Sequence, residues 1–347
     1  MDKVRFVWQL LSTNQKENIV KELQRKHVYI FGGGEFGTAL CSLLSLEKIR
    51  VQCIFDNAEA KWGLKIDEVP IVKFEENIIE DDYIVLIAAG VYETEIKKQL
   101  LACGINNIIG FEEYFLQENK LEILEIGPLN NPLFRGNNVK YFDVLPVDEL
   151  IEKTLSWGLD PAGVPEKIDY VSECADLGII KDKFQVVFSS NCIEHQPDLV
   201  KHLMDVENIL EAGGKYYLVI PDKRYCFDYY NRQSDWCDVV AAYFEGRKVH
   251  SLRSLFAVEN RTHNDVRAHW AGNHGEPASV KIDNLCKWVN EYKNGKYIDT
   301  HAWYFTPEAF KEIMSKLNEI GLVKLKVSDV YETEKDSCNF FAILEKK

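Results

Sequence analysis

Between residues 125 and 195 the chain repeatedly sets a chemically useful side chain just beyond a short apolar run. Glu125 precedes Gly127-Pro128, where a backbone without a side chain lets a ligand approach closely. Asp143 ends the run Tyr141-Phe142, and an acceptor-only carboxylate there can take both hydroxyls of a ribose. Phe184–Ser190 runs into Asn191-Cys192-Ile193-Glu194-His195, a polar loop whose imidazole titrates near neutrality and can serve as a base. His263, Asp265, His269 and His274 form a second group within twelve residues. Their types suit a divalent metal, but their spacing matches no firm signature, so no metal site is assigned. His263 and His269 stand behind His195 as further catalytic candidates. A third group, Gly32-Gly33-Gly34-Glu35-Phe36-Gly37, satisfies G-x-G-x-x-G through Gly32, Gly34 and Gly37. Asp56 follows 22 residues after Gly34, the pattern of a turn that cradles a nucleotide with an acid on its ribose.

These groups need a sheet to bring them together. The first eleven residues suit a short amphipathic helix, and Asn14 to Glu17 reads as a capping box for a helix ending near Lys26. Strands are expected at 28–31, 51–55, 83–88 and 107–110, with helices at 36–46 and 93–102 between them. Strands separated by helices imply parallel pairing and a doubly wound sheet. Polar residues 117–120 read as a linker between domains 1–118 and 119–347. The alternation then restarts, with strands at 121–126, 168–172, 184–190 and 215–220. Helices are expected within 146–157 and over 199–211, the latter ended by Gly213-Gly214. Thr306-Pro307-Glu308 opens a helix to about residue 320, and the strands 323–330 and 339–344 close the chain as a hairpin. The fold class is α/β, with two doubly wound Rossmann-like domains and a long insertion, about 223–300, after the fifth strand of the second.

Leu124-Glu125-Ile126-Gly127, Asp143, Ala175-Asp176-Leu177 and the block from Phe184 to Asp222 together resemble the class I S-adenosylmethionine-dependent methyltransferases of the group loosely called type 11. The antiparallel closing hairpin and the segment from His301 to Pro307 fit the same resemblance. It implies a methyltransferase with S-adenosylmethionine as cofactor. Glu125 and Gly127 would lie along its methionine end, Asp143 on its ribose, Asp176 toward the adenine amine, and Asn191 and Glu194 in the loop beneath the sulfonium. About ten residues separate the glycine loop from the next strand, so the customary first helix is short or absent. The stretch 28–70 resembles the Rossmann-like domain attached to bacterial sugar-modifying enzymes, which implies a sugar or nucleotide-sugar acceptor.

Residues 223 to 275 carry eight Lys or Arg against six Asp or Glu, on a chain whose net charge is −14. Lys223, Arg224 and Arg267 could meet an anionic acceptor, and the aromatics of the segment could stack on sugar rings. The acidic balance argues against a nucleic-acid partner, which needs a basic footprint. No apolar run suits a membrane span, and the N-terminus lacks a signal-peptide pattern. Nine cysteines without a Cys-x-x-Cys pair suit a reduced cytoplasmic protein, and a homodimer is compatible with the sequence. Two rival readings use the first glycine turn: an NAD-dependent sugar oxidoreductase or epimerase, and a non-catalytic nucleotide-sensing module. The former would want Tyr-x-x-x-Lys on a helix, and Tyr331 with Lys335 is the match.

Overall fold

The computed structural model describes residues 3–117, 121–277 and 279–347, and the chain divides into two compact units, Met1–Lys120 and Leu121–Lys347. From residue 118 on, the expected linker and the 118/119 boundary lie outside the described residues.

In the first unit, Lys3–Gln9 and Thr13–Leu23 are helical. Ser12, not Asn14, caps the second: its hydroxyl accepts from the Gln15 amide while Gln15 accepts from the Ser12 amide at 2.9 Å. Asn14 already sits inside the helix, so the capping box begins two residues earlier than the sequence pattern suggests. The strands are β1 (His27–Phe31), β2 (Val51–Phe55), β3 (Lys65–Ile66), β4 (Val69–Val72), β5 (Tyr83–Ile87) and β6 (Ile108–Gly110). They form one sheet in the order β3-β4-β2-β1-β5-β6, parallel except for β3 against β4. The β3–β4 hairpin escapes a sequence reading because Asp67 and Glu68, both at positive φ, make its turn without the usual Asn-Gly signal. Tyr29, Phe31, Phe55 and Val85 fill the core on one face of this sheet.

The second unit contains β7 (Ile123–Ile126), β8 (Val139–Asp143), β9 (Tyr170–Val171), β10 (Phe184–Ser190), β11 (Leu210–Pro221), β12 (Lys326–Tyr331) and β13 (Asn339–Glu345). Their order is β12-β13-β11-β10-β7-β8-β9, with β7 to β11 parallel and β13 antiparallel to both its neighbours. The chain walks outward from β7 to β9 and then returns to lay β10 on the other side of β7. That reversal is the topological switch point, where doubly wound sheets open a crevice for a ligand. No helix joins β7 to β8, as the short connection predicts.

Helix Leu199–Ile209, capped by Asp198, passes directly into β11, so Gly213-Gly214 does not end it. Those glycines instead absorb a register shift in the strand: Gly213 has φ 75° and donates to Lys346 O at 2.8 Å, and a Cβ on Gly214 would lie 2.9 Å from Glu211 O. The insertion is largely helical, with Trp236–Glu245, Leu252–Ala257, Val266–Trp270 and Ile282–Lys293. Phe310, Met314 and Leu317 of helix Pro307–Glu319 pack with Leu203, Val187 and Leu344 in the core. Among the described residues, no helix is long and apolar enough to cross a membrane.

Candidate active site

β7 and β10 run side by side in one direction, so the residues after Ile126 and Ser190 leave the sheet together at the switch point. Gly127 has φ 68°, and a Cβ on it would lie 2.3 Å from Cys192 Sγ; a glycine is what lets the two loops pass. The loop after Gly127 has no helix to shape it, and Glu125 does so instead. Buried in β7, it accepts from the Leu133 amide at 2.7 Å and the Phe134 amide at 2.9 Å, one with each oxygen. Glu125 thereby folds the loop along which the methionine end is expected to lie.

Asp143 ends β8 with one oxygen on the Leu145 amide at 3.1 Å. Burial raises its carboxyl to about 6. Asn191 holds φ 50°, and its side-chain amide donates to Ser190 Oγ at 3.0 Å. Asp176 makes both its contacts through one oxygen, Oδ1. It caps a short turn through the Gly178 amide at 3.0 Å and takes Lys201 Nζ at 2.6 Å, and these contacts hold it below the usual carboxylate range. Neither contact takes its other oxygen, which is where the adenine role expected for Asp176 would fall.

The 192–195 turn carries the densest chemistry. Glu194 is fully buried, and neither carboxylate oxygen has a hydrogen-bond partner. His195 Nε2 lies 3.7 Å and His301 Nε2 3.9 Å from Glu194 Oε1. On their far sides, His195 Nδ1 is 2.8 Å from Asp299 and His301 Nδ1 is 2.5 Å from Asp228. The backbone fixes this meeting: Glu194 O accepts from the Ala302 and Trp303 amides, and Lys223 N donates to Phe305 O. Burial disfavours a charged His195, but Asp299 and Glu194 overcome it and hold the imidazole above its ordinary value. Burial likewise opposes ionisation of Asp299, yet His195 and Lys153 hold its carboxyl far below the usual range. Glu194 is pushed upward by burial, with the two imidazoles opposing. His301, Asp299 and Asp228 have no role in the sequence reading. About a hundred residues separate His301 from His195, and its only sequence signal is the family-like stretch to Pro307.

The other histidines are occupied elsewhere. His269 Nδ1 meets His274 Nδ1 at 3.0 Å, and its Nε2 faces His263 O at 3.1 Å. His263 accepts from the Asp265 amide at 3.1 Å. These rings pack as a cluster with Tyr229 stacked on His274, which binds His263 and His269 into the insertion's own framework. Arg224 is engaged too, its guanidinium forked onto fully buried Asp222 at 2.6 to 3.1 Å. Lys223 donates to Tyr229 O at 2.7 Å, and burial lowers its pKa. Arg267 alone of the three lies exposed. A cavity of about 450 Å³ opens in the insertion, lined by Tyr230, Asn231, Arg232, Arg253 and Phe256 among others. Asn231 ties it to the site by donating to Asp228 at 2.9 Å.

In the first unit the glycine turn forms, but packing accounts for it. A Cβ on Gly37 would lie 1.7 Å from Gly32 O, and one on Gly32 would lie 2.6 Å from Ala88 O. Asp56 accepts from the Gly33 amide at 2.7 Å, the Ala58 amide at 2.8 Å and Lys61 Nζ at 2.9 Å. Its carboxylate, expected on a ribose, holds the turn from below through both oxygens. Gly34 has no atom within 4 Å of a would-be Cβ. Tyr331 ends β12 and Lys335 sits in the following turn, so the pair shares no helix.

A family model described as C2185-like, N-terminal, matches residues 24–108, less than half of the chain. No curated protein matches in sequence. Solved structures that resemble the chain include an S-adenosylmethionine-dependent methyltransferase from Clostridium acetobutylicum ATCC 824, at 14% identity, 73% of this chain, 97% of that one and TM-score 0.33. One from Aquifex aeolicus follows at 10% identity, 68% and 89% coverage and TM-score 0.32. The CcbJ methyltransferase from Streptomyces caelestis stands at 11% identity, 65% and 88% coverage and TM-score 0.33. Scores this low leave the weight on sheet order and site geometry.

Proposed function

We propose that the second unit is an S-adenosylmethionine-dependent methyltransferase acting on an oxygen or nitrogen of a small acceptor, a sugar or nucleotide sugar, in the cytoplasm. The observation that carries this reading is the convergence at one switch point of the Gly127 loop, the Asp143 carboxylate and the 191–195 turn, in a sheet closed by an antiparallel hairpin. A glycine-lined approach beside a strand-end acid suits an aminoacyl chain next to a ribose. When bound, the cofactor supplies a methyl already activated on a sulfonium, which leaves the protein alignment and one proton to manage.

Each residue then has a task. Gly127 gives the methionine end its backbone contact, and Glu125 keeps that loop in shape. Asp143 accepts from the ribose hydroxyls through the oxygen turned away from Leu145. His195, held by Asp299, takes the acceptor's proton. The cavity beside Asn231 receives the acceptor, with aromatic walls for a sugar ring. Reduced cysteines, all nine free, agree with a cytoplasmic setting.

The test is transfer of label from S-adenosylmethionine to a panel of nucleotide sugars and saccharides. At least one should be converted by the wild type, and His195→Ala should slow that conversion by about 10²–10⁴-fold at unchanged cofactor affinity. Full turnover in His195→Ala, with chemistry rate-limiting, would remove the base role.

A further inference from the structure

Glu194, His195 and His301 place one ligand atom each within 4.8 Å of one another, around a point that no described side chain fills with a hydrogen-bond donor. The two imidazoles are oriented from behind. Each turns Nδ1 to a carboxylate: His301 hydrogen-bonds to Asp228 at 2.5 Å, and His195 stands in ion-pair contact with Asp299 at 2.8 Å without hydrogen-bond alignment. An imidazole that donates its Nδ1 proton to a carboxylate offers a lone pair at Nε2, the arrangement that orients metal-ligating histidines. Both Nε2 atoms face Glu194, itself an acceptor. Distances of 3.7 and 3.9 Å are too long for hydrogen bonds, so protons shared between these groups do not account for the geometry. A fully buried carboxylate with neither oxygen hydrogen-bonded is a rarity, and a cation seated between it and the two imidazoles would partner it.

We infer that Glu194, His195 and His301 bind a divalent transition-metal ion, with Asp299 and Asp228 as the groups that orient the two histidines. Ligands about 2.0–2.2 Å from a tetrahedral ion stand about 3.4 Å apart. The two distances to Glu194, 3.7 and 3.9 Å, lie within a few tenths of an ångström of that, and the two imidazoles offer their ligand atoms within 4.8 Å of each other. Two imidazoles and a carboxylate suit zinc, manganese or iron(II). Three protein ligands leave positions open, the mark of a site that works on a substrate rather than one that only holds the fold. His195 keeps a quarter of its side chain exposed, which gives the ion an entry path. An open position would take an acceptor oxygen and lower its pKa. With the ion in place, His195 is a ligand, and the ion replaces it as the group that makes the acceptor nucleophilic. Only that use rests on the methyl-transfer reading; ion binding itself does not.

The test is a titration of the metal-stripped full-length protein with Co²⁺, read by its visible absorption bands and by calorimetry without S-adenosylmethionine. One equivalent should bind, and Zn²⁺ should displace it. His301→Ala and Glu194→Gln should each abolish binding, and Glu194→Gln should fold at least as stably as the wild type without metal, because it removes an unpaired buried carboxylate. Asp228→Asn keeps all three ligands and should weaken binding about 10–100-fold, while His269→Ala should leave it unchanged. Absence of binding at millimolar Co²⁺, or undiminished binding in Glu194→Gln and Asp228→Asn, would overturn the assignment. Cofactor calorimetry is read separately, so failure of the ion site and failure of the methyltransferase reading are distinguishable.

Discussion

Asp143 combines a stability penalty with a binding role, and pH separates the two. Its folded pKa, raised by burial to about 6, exceeds the ordinary carboxylate value. The folded state therefore holds the proton more tightly than the unfolded chain, and stability falls as pH rises from about 4 to 6 and stays lower above that. Asp143→Asn keeps the acceptor for Leu145 while removing the buried charge. It should raise unfolding free energy at pH 8 by about 1–3 kcal/mol, with no gain near pH 4, measured by urea denaturation without ligand. Equal stabilisation at both pH values would show that charge is not the cause. Glu125→Gln tests its neighbour differently, because the new NH₂ would face a backbone amide and leave two donors opposed. That variant should lose about 1–3 kcal/mol at all pH values above 6. Side-chain type alone makes Asp143, Asp176, Glu125 and Asp56 equal candidates in the sequence. What distinguishes them is which oxygens the surrounding amides and lysines already occupy, and that depends on loop paths with no signature in the residues themselves.

The glycine loop and the 191–195 turn illustrate how elements decide what a residue can do. Gly127 must be glycine for two separable reasons, its positive φ and the overlap with Cys192. Gly127→Ala should therefore weaken cofactor binding strongly, and adding Cys192→Ala should recover part of the loss but not all, since backbone strain of about 1–3 kcal/mol persists. Complete recovery in the double variant would leave the overlap as the whole reason. Apolar runs such as Phe184–Ser190 and the Thr306-Pro307 helix start were legible because each has a strong periodic or capping signal. Gly213-Gly214 misled, since the same dipeptide that stops a helix also accommodates a bulge. His301 was hidden for a topological reason: the chain leaves β11, builds the insertion and returns beside Glu194, and no local pattern reports that return.

The two units share a fold class but ask different things of their glycine loops. In the first, Gly32 and Gly37 are explained by packing against Ala88 and against each other, and Asp56 by the turn it holds. Gly34→Ala should leave the unfolding free energy within about 0.5 kcal/mol of wild type, whereas Gly37→Ala should destabilise that unit severely. A large loss in Gly34→Ala would mean that something closes on that open position. In the second unit the Gly127 loop and the 191–195 turn leave neighbouring parallel strands at the switch point, and there the proposed ligand would sit. Calorimetric titration of the full-length protein with S-adenosylmethionine, repeated on Asp143→Ala and Gly34→Ala, tests this most directly. One equivalent should bind to the wild type and to Gly34→Ala with the same affinity, and about tenfold or more weakly to Asp143→Ala, since a hydrogen-bonded charged acceptor contributes about 1.5–3 kcal/mol. No binding to the folded wild type, or binding that survives in Asp143→Ala and fails in Gly34→Ala, would contradict a methyltransferase site in the second unit.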